Sequence, residues 1–459
     1  MNAIVLAPIW GVIMMFSGIF TKRQTPVRIL AVLGIVVLLV STLLEIAGHI
    51  FFPFNTRNML VMDSFSLLFI TVVFALMLLY FLLSGKDIEK VGNNVPDYYA
   101  LLFFILAGVV IASSFNTLLM LFLGIEIISI PLYILTGSDR RNLKSNEASL
   151  KYFLMGAFST GLMLMGIALV YGSKGSFDMS VIGSKNEVLT PMMSAGLLLL
   201  MFSMAFKVSA APFHFWTPDV YDGAPGVFTS FMATIVKVAG FVAFIRLFRG
   251  SFSDLQGEWQ LIVAIIAAAT LFIGNITAVF QQSVKRMLAY SSISQAGFMM
   301  LAVVALNGTA LEGIIYYTAA YCLATIGAFA ILVRMKDYTY QGYNGMAKHH
   351  PTLAAANAIF MLSLAGIPAT AGFMAKFYML SAVIRTGTLF WLVVVGILCA
   401  AVSVYYYFRV IQAMYFRDGE KQEIHSGPGF KALLVLTAVF IVLLGIFPQW
   451  LIEKLYYFF

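Results

Sequence analysis

The feature that most limits what this chain can become is a succession of long, predominantly apolar stretches, many of them about as long as a bilayer is thick. LLFFILAGVVIASS (101–114) and LLMLFLGIEIISIPLYIL (118–135) are two of them. A hydrocarbon core about 30 Å thick needs roughly 20 apolar residues per helical crossing. Backbone N–H and C=O groups inside that core have no water to bond, so such stretches close their hydrogen bonds within helices. The alternating pattern of a membrane β-barrel is absent. Composition agrees: 61% of residues are hydrophobic and 10% charged, and the mean hydropathy is +0.94, values outside the range of soluble domains. The chain is therefore expected to be an all-α, polytopic membrane protein.

Hydropathy along the chain predicts fourteen crossings, near 3–20, 27–51, 64–84, 98–113, 115–136, 150–171, 193–214, 226–249, 258–280, 287–305, 311–334, 352–382, 387–414 and 431–453. The first apolar stretch precedes Lys22 and Arg23 instead of following them, so no cleavable signal peptide is expected. Positive loops are retained in the cytoplasm. Loops after odd-numbered crossings carry most of the lysine and arginine, from Lys22, Arg23 and Arg28 through Lys285, Arg286 and Lys348 to Lys421 and Lys431. Loops after even-numbered crossings hold only Arg57, Lys174, Lys185, Arg246, Arg249 and Arg385. Both termini are thus expected outside. The net charge of +8 is read as this topology signal and not as a nucleic-acid-binding face.

Four charges do not fit the loop pattern. Glu126 is the only acidic or basic residue within 98–138, Lys237 within 223–245 and Lys376 within 351–384, while Lys207 shares 188–218 with His214 alone. A charge at the bilayer centre costs about 2.5–3.5 kcal/mol on insertion scales. One acid and one base could pin two helices together and long side chains can snorkel, but three central lysines cannot all pair with one glutamate. A charge pathway accounts for all four. Burial disfavours an ammonium and an adjacent carboxylate favours it, so a movable acid beside a buried lysine is a proton switch, with water bridging groups on separate helices. Pro212 follows Lys207 and Pro368 precedes Lys376; each removes a helix donor, and interrupted helices of this kind line hydrated cavities. The two interrupted crossings lie five apart, in opposite orientations, as inverted repeats require.

Other polar residues take plainer readings. Glu45 and His49 are spaced for one helix face near the end at Pro53 and are expected to form an interfacial hydrogen-bonded pair. His214 either joins a water chain or bonds the helix break. Asp219 and Asp222 are expected to shape and cap a turn before crossing 8, not to bind metal. Cys322 and Cys399 fall in separate apolar segments, and only His49 and His214 among the five histidines lie in or near crossings. Neither an iron–sulfur site nor haem is expected, so the chain is read as having no cofactor or metal of its own.

FKVSAAPFHFWTPDVYDGAPG (206–226), FMATIVKVAGFVAFIRLF, FLGIEIISIPLYIL, KYFLMGAFSTG, KRMLAYSSISQAGF and LAGIPATAGFMAKFYML occur in that setting. Together, over roughly residues 60–420, they resemble the subunit N family of bacterial NADH–quinone oxidoreductase, respiratory complex I. WTPDVYDGAP separates this family from the sister antiporter-like subunits L and M and from multisubunit cation/proton antiporters, the alternative reading. The resemblance implies three N-terminal helices (1–97), an antiporter-like repeat of helices 4–8 (98–250), an inverted repeat of helices 9–13 (251–420) and a C-terminal helix 14 (421–459), with helices 7 and 12 broken. It assigns Glu126 to helix 5, Lys207 to broken helix 7, Lys237 to helix 8 and Lys376 to broken helix 12 as the proton-translocating residues, with His214 in the same stretch as Lys207. Gln295 stands where relatives often have histidine. The implied partners are antiporter-like subunit M, small membrane subunits, the lipid bilayer and, indirectly, a peripheral redox arm; the implied location is the cell inner membrane.

Overall fold

Every apolar stretch closes its backbone bonds locally. In a computed structural model that describes residues 1–21, 23–183, 190–420 and 422–456, the chain is helix after helix, and the only β pairing among the described residues is three isolated bridges. Lys22, Lys185 and Lys421, three of the loop cations counted above, lie outside the described residues. Twelve helices among the described residues are long and apolar enough to cross a membrane. They are α1 (Asn2–Phe20), α2 (Gln24–Ile46), α3 (Ser64–Ile88), α4 (Val95–Ser114), α5 (Leu118–Thr136), α6 (Leu143–Lys174), α8 (Gly226–Ser251), α9 (Ser253–Val279), α10 (Val284–Ala305), α11 (Gly308–Leu332), α13 (Phe390–Phe416) and α14 (Pro428–Ile446). The remaining two crossings are pairs of shorter helices: α7a (Pro191–Lys207) with α7b (Trp216–Gly223), and α12a (Pro351–Ala365) with α12b (Ala371–Ile384).

Boundaries differ from expectation where the backbone stops a helix before the hydropathy does. α2 ends at Ile46, because Gly48 takes a left-handed φ of 92°. α14 ends at Ile446, just ahead of Pro448, and Gln449–Tyr456 starts a separate short helix.

By internal packing the chain divides into two units. The first comprises Met1–Ser209, Gly223–Pro225 and Ile235–Leu261. In it α4 packs on α1 and α5, α6 on α5 and α7a, and α2 on α3. The α6–α7a contact is close because both helices present glycine: a Cβ on Gly166 would lie 3.0 Å from the Gly196 carbonyl oxygen, and one on Gly196 would lie 3.0 Å from that of Gly166. Small residues of this kind let membrane helices approach where apolar burial offers no driving force. The second unit comprises Ala210–Asp222, Gly226–Thr234 and Ile262–Phe459. Its centre is α11, whose most apolar stretch is buried throughout and against which α12a, α12b and α14 pack. Phe16, Phe158, Phe272, Phe390 and Leu436 are among the large side chains exposed on the helices, as a lipid-facing surface requires.

Candidate functional site

The break in crossing 7 falls at the lysine itself. α7a ends with Lys207, and Ser209 takes a left-handed φ of 63°. The expectation that Lys207 sits in mid-helix with Pro212 as the interruption is corrected accordingly: the ladder stops before the proline is reached. Lys207 is therefore in the last turn of a half-helix, the end at which the macrodipole favours positive charge.

Three hydroxyl and carboxyl groups meet Lys207 there. Its Nζ lies 3.7 Å from Glu126 Oε1 on α5, and the two side chains are 11% and 19% exposed. Nζ donates to Ser129 Oγ at 3.0 Å and to Thr160 Oγ1 at 3.4 Å. Thr160 in turn donates to Glu126 Oε1 at 2.7 Å. Glu126 and Ser129 share a face of α5 at i, i+3 spacing, and Thr160 comes from α6. Its position is held from the next residue, since Ser159 and Ser203 exchange hydrogen bonds between α6 and α7a, the Ser203 hydroxyl donating to the Ser159 carbonyl at 2.9 Å. The sequence reading missed Ser129 and Thr160. The one available signal was Gly156–x3–Thr160 in KYFLMGAFSTG, which puts the threonine on the glycine face that α6 turns to Tyr133 of α5.

Lys237 is 2% exposed, on α8. A π-helical turn, Met232–Val236, immediately precedes it, and such turns are frequent at functional sites. Gly240, one turn on, lets α8 approach the end of α7a: a Cβ there would stand 3.1 Å from Val208 Cγ1. Lys237 thus occupies the same side of α8 as the contact with the Lys207–Val208 break.

Lys376 lies in the second unit, 5% exposed. It reaches from α12b to the last residue of α12a, donating to the Ala365 carbonyl at 2.8 Å and to Ser403 Oγ at 3.5 Å, with its Nζ 4.9 Å from the centre of the Phe298 ring. Gly366, at φ 82°, ends α12a, and its N–H bonds back to Leu362 and Ser363. The preceding carbonyl, Leu364, accepts from Gln295 Nε2 at 2.9 Å. Gln295 also donates to Tyr407 Oη at 3.2 Å and accepts from Tyr317 Oη, and Tyr407 shares a hydrogen bond of 2.6 Å with Ser291. A cavity of about 10 Å³ beside Gln295, Tyr317 and Ser363 has room for one water.

Four expectations are revised. Glu45 does not meet His49, because α2 has ended between them; Glu45 accepts from the Asn2 backbone N–H at 2.9 Å, and the Asn2 side chain donates to the His49 carbonyl at 3.2 Å. Asp219 and Asp222 lie in the short helix α7b and not in a turn, since Pro218 is tolerated in a first helical turn. They pair with Arg286 at 3.1 and 3.9 Å. Arg246 is not a loop cation but a residue of α8, 9% exposed. It donates to Asp63 at 2.8 Å, to Ser66 Oγ at 3.0 Å and to the carbonyls of Phe115 and Val61 at 2.6 and 3.1 Å. Lys285 is 4% exposed and donates to the Asp222 carbonyl at 2.6 Å. His214 is buried in the second unit, stacked on Phe215 with 4.6 Å between ring centres. Among the described residues no group of three or more His, Cys, Asp or Glu side chains is placed to hold a metal, and Cys322 and Cys399 are both buried free thiols.

Residues 115–403 match the family described as NADH:quinone oxidoreductase/Mrp antiporter, TM. NADH-quinone oxidoreductase subunit N of Cytophaga hutchinsonii is 38% identical over 99% of this chain and 99% of that relative. In a solved structure of respiratory complex I from Thermus thermophilus, a chain 31% identical superposes with a TM-score of 0.85 over 98% of both chains. A chain of the Mrp complex from Dietzia also reaches a TM-score of 0.85, over 99% of this chain and 96% of that one, but at 18% identity, a likeness of fold alone. Identity sustained over nearly the whole length, on a fold shared with a complex I subunit, means that the chain belongs to the subunit N family of NADH–quinone oxidoreductase.

Proposed function

We propose that protons cross the bilayer through this chain by way of Glu126, Lys207, Lys237 and Lys376, with His214 serving the water chain at the break of crossing 7. The movement is driven by quinone reduction elsewhere in the assembled oxidoreductase. The observation that carries this reading is the buried Glu126–Lys207 pair, opposite charges 3.7 Å apart where the helix ladder is interrupted. An acid that moves relative to such a lysine changes the lysine's hold on its proton, and Lys237 is positioned on the side of α8 that meets the same break. Identity of 38% to a subunit N against 18% to the Mrp chain favours this reading over a cation/proton antiporter.

The same reading makes residues 98–250 and 251–420 two inverted repeats, each with its broken crossing in fourth place. It sets the chain in the cell inner membrane, with both termini outside. Its neighbours are antiporter-like subunit M and small membrane subunits, and the redox cofactors belong to the peripheral arm. The test is Lys237→Ala in membranes whose content of assembled complex matches wild type. NADH oxidation persists at a reduced rate while proton pumping is impaired; normal pumping refutes the role of the central lysine.

A further inference from the structure

We propose that Thr160 is the relay through which a proton passes between Glu126 and Lys207. The inference rests on the proton-handling role of that pair. Nζ and Oε1 are 3.7 Å apart, past the about 3.6 Å at which a side-chain contact no longer counts as a hydrogen bond, so the two groups are not bonded directly. Thr160 Oγ1 fills the gap: it accepts from Lys207 Nζ at 3.4 Å and donates to Glu126 Oε1 at 2.7 Å. A hydroxyl has one proton to give and lone pairs to receive another, the two properties a relay needs.

The Ser129 hydroxyl is bonded differently. Ser129 Oγ accepts from Lys207 at 3.0 Å, but its own proton goes to the Ile125 carbonyl at 2.7 Å. A peptide carbonyl does not take the proton onward, so Ser129 anchors the ammonium and the chain of transfer ends there. Thr160 aims its proton at the Glu126 carboxylate. In the step, the Lys207 Nζ–H bond breaks as a new H–Oγ1 bond forms, while the original Thr160 O–H bond breaks and an H–Oε1 bond forms on Glu126. Ammonium and carboxylate become amine and carboxylic acid, and Thr160 keeps one proton throughout. The reverse sequence loads Lys207 from a protonated Glu126, and rotation about Cβ–Oγ1 resets the hydroxyl.

The experiment compares Thr160→Val, which keeps the shape and loses the hydroxyl, with Thr160→Ser, which keeps the hydroxyl. Both are built in the whole complex, in membranes with matched complex content, and read by NADH–quinone turnover, proton pumping and the pH–rate profile. Val is expected to lower coupled turnover and pumping by at least about tenfold, a lower bound on the about 10²–10⁴-fold that a positioned proton-transfer group contributes, and to displace the pH profile. Ser is expected to stay within about twofold of wild type with an unchanged profile. Should the Val variant fail to assemble, Thr160→Ala carries the same comparison. Wild-type pumping without the hydroxyl overturns the relay, and so does a Ser variant as impaired as Val. Glu126→Gln and Lys207→Ala in the same membranes separate the two levels. If they too pump normally, the role of the pair itself fails; if they are impaired while Val is not, only the relay does.

Discussion

The proposal that Glu126 and Lys207 act in one step is read directly by a double-mutant cycle. Two opposite unit charges 3.7 Å apart attract by about 4 kcal/mol at an effective dielectric of about 20. Part of this is offset by the cost of holding both groups out of water, and the hydroxyls of Ser129 and Thr160 continue to solvate whichever partner remains. The expected coupling is therefore about 1–3 kcal/mol, within the about 0.5–3 kcal/mol found for residues in one network. On a rate this is a shortfall of roughly 5- to 150-fold from the product of the single effects. Glu126→Gln is expected to reduce coupled turnover much as Lys207→Ala does, Glu126→Asp to be milder, and the double variant to be no worse than the worse single one. Quinone reductase activity and proton pumping are measured across the cycle at matched complex content. Losses that simply multiply would mean that the two residues work independently, and the switch built on their contact would be refuted.

Three further outcomes follow from the geometry. Gln295→Leu strands the Leu364 carbonyl at the end of α12a at a cost of about 1–3 kcal/mol, expected as reduced thermal stability of the complex's activity; an unchanged inactivation curve counts against Gln295 as the cap. Arg246→Leu removes the guanidinium from Asp63, which keeps its Ser66 donors, and from two carbonyls, and because the Asp63 side chain is 44% exposed the loss falls at or below the lower end of the about 3–5 kcal/mol typical of a broken buried pair. Burial pushes the Asp63 carboxyl up, but Arg246 and the hydrogen bonds of Ser66 pull it further, leaving it below its ordinary 3.8; its stabilisation is complete above that value and fades as pH falls through the folded one. Asp63→Asn should therefore abolish that part of the acid sensitivity, and an acid inactivation profile identical to wild type would contradict it. For topology, a cysteine at exposed Lys348 should resist an impermeant thiol reagent in intact cells and one at exposed Arg385 should react, the native Cys322 and Cys399 being buried; the opposite pattern inverts the orientation.

The crossings were legible because hydropathy over twenty residues is a strong signal, and a helix or half-helix pair occupies each of the fourteen expected places. The intramembrane charges were legible for a related reason: against so apolar a background each one stands out. Hydroxyls do not stand out. Serine and threonine in these helices commonly bond their own backbone, as Thr71 does to Leu67, Thr136 to Leu132 and Thr277 to Ile273. Only its spacing from Gly156 distinguishes Thr160, which turns instead to Glu126. Arg246 was misread for a different reason. Near a helix end an arginine looks like a loop cation, and its partners Asp63, Ser66 and Phe115 are more than 130 residues away along the chain.

The two broken crossings use one device in two different ways. In each unit a lysine is set at the carbonyl end of a half-helix: Lys207 because it is the last residue of α7a, Lys376 because it reaches back from α12b to the Ala365 carbonyl. The partial negative charge of a helix C-terminus stabilises a cation by about 0.3–1 kcal/mol at exposed sites and up to about 2 kcal/mol where partly buried. That is enough to help hold a proton but well short of what a carboxylate supplies. Lys207 has the carboxylate as well, with a threonine between the two. Lys376 is met by a carbonyl, a serine hydroxyl and the face of Phe298, none of which ionises or changes charge. The break in the first unit therefore has a component whose movement alters the lysine's surroundings, and the contacts described at the second do not. On the proposed pathway, control of proton release belongs at Glu126 and Lys376 responds to what reaches it, so the pH dependence of coupled turnover should be altered more by Glu126→Gln than by Ser403→Ala. Equal changes would remove the distinction between the two breaks.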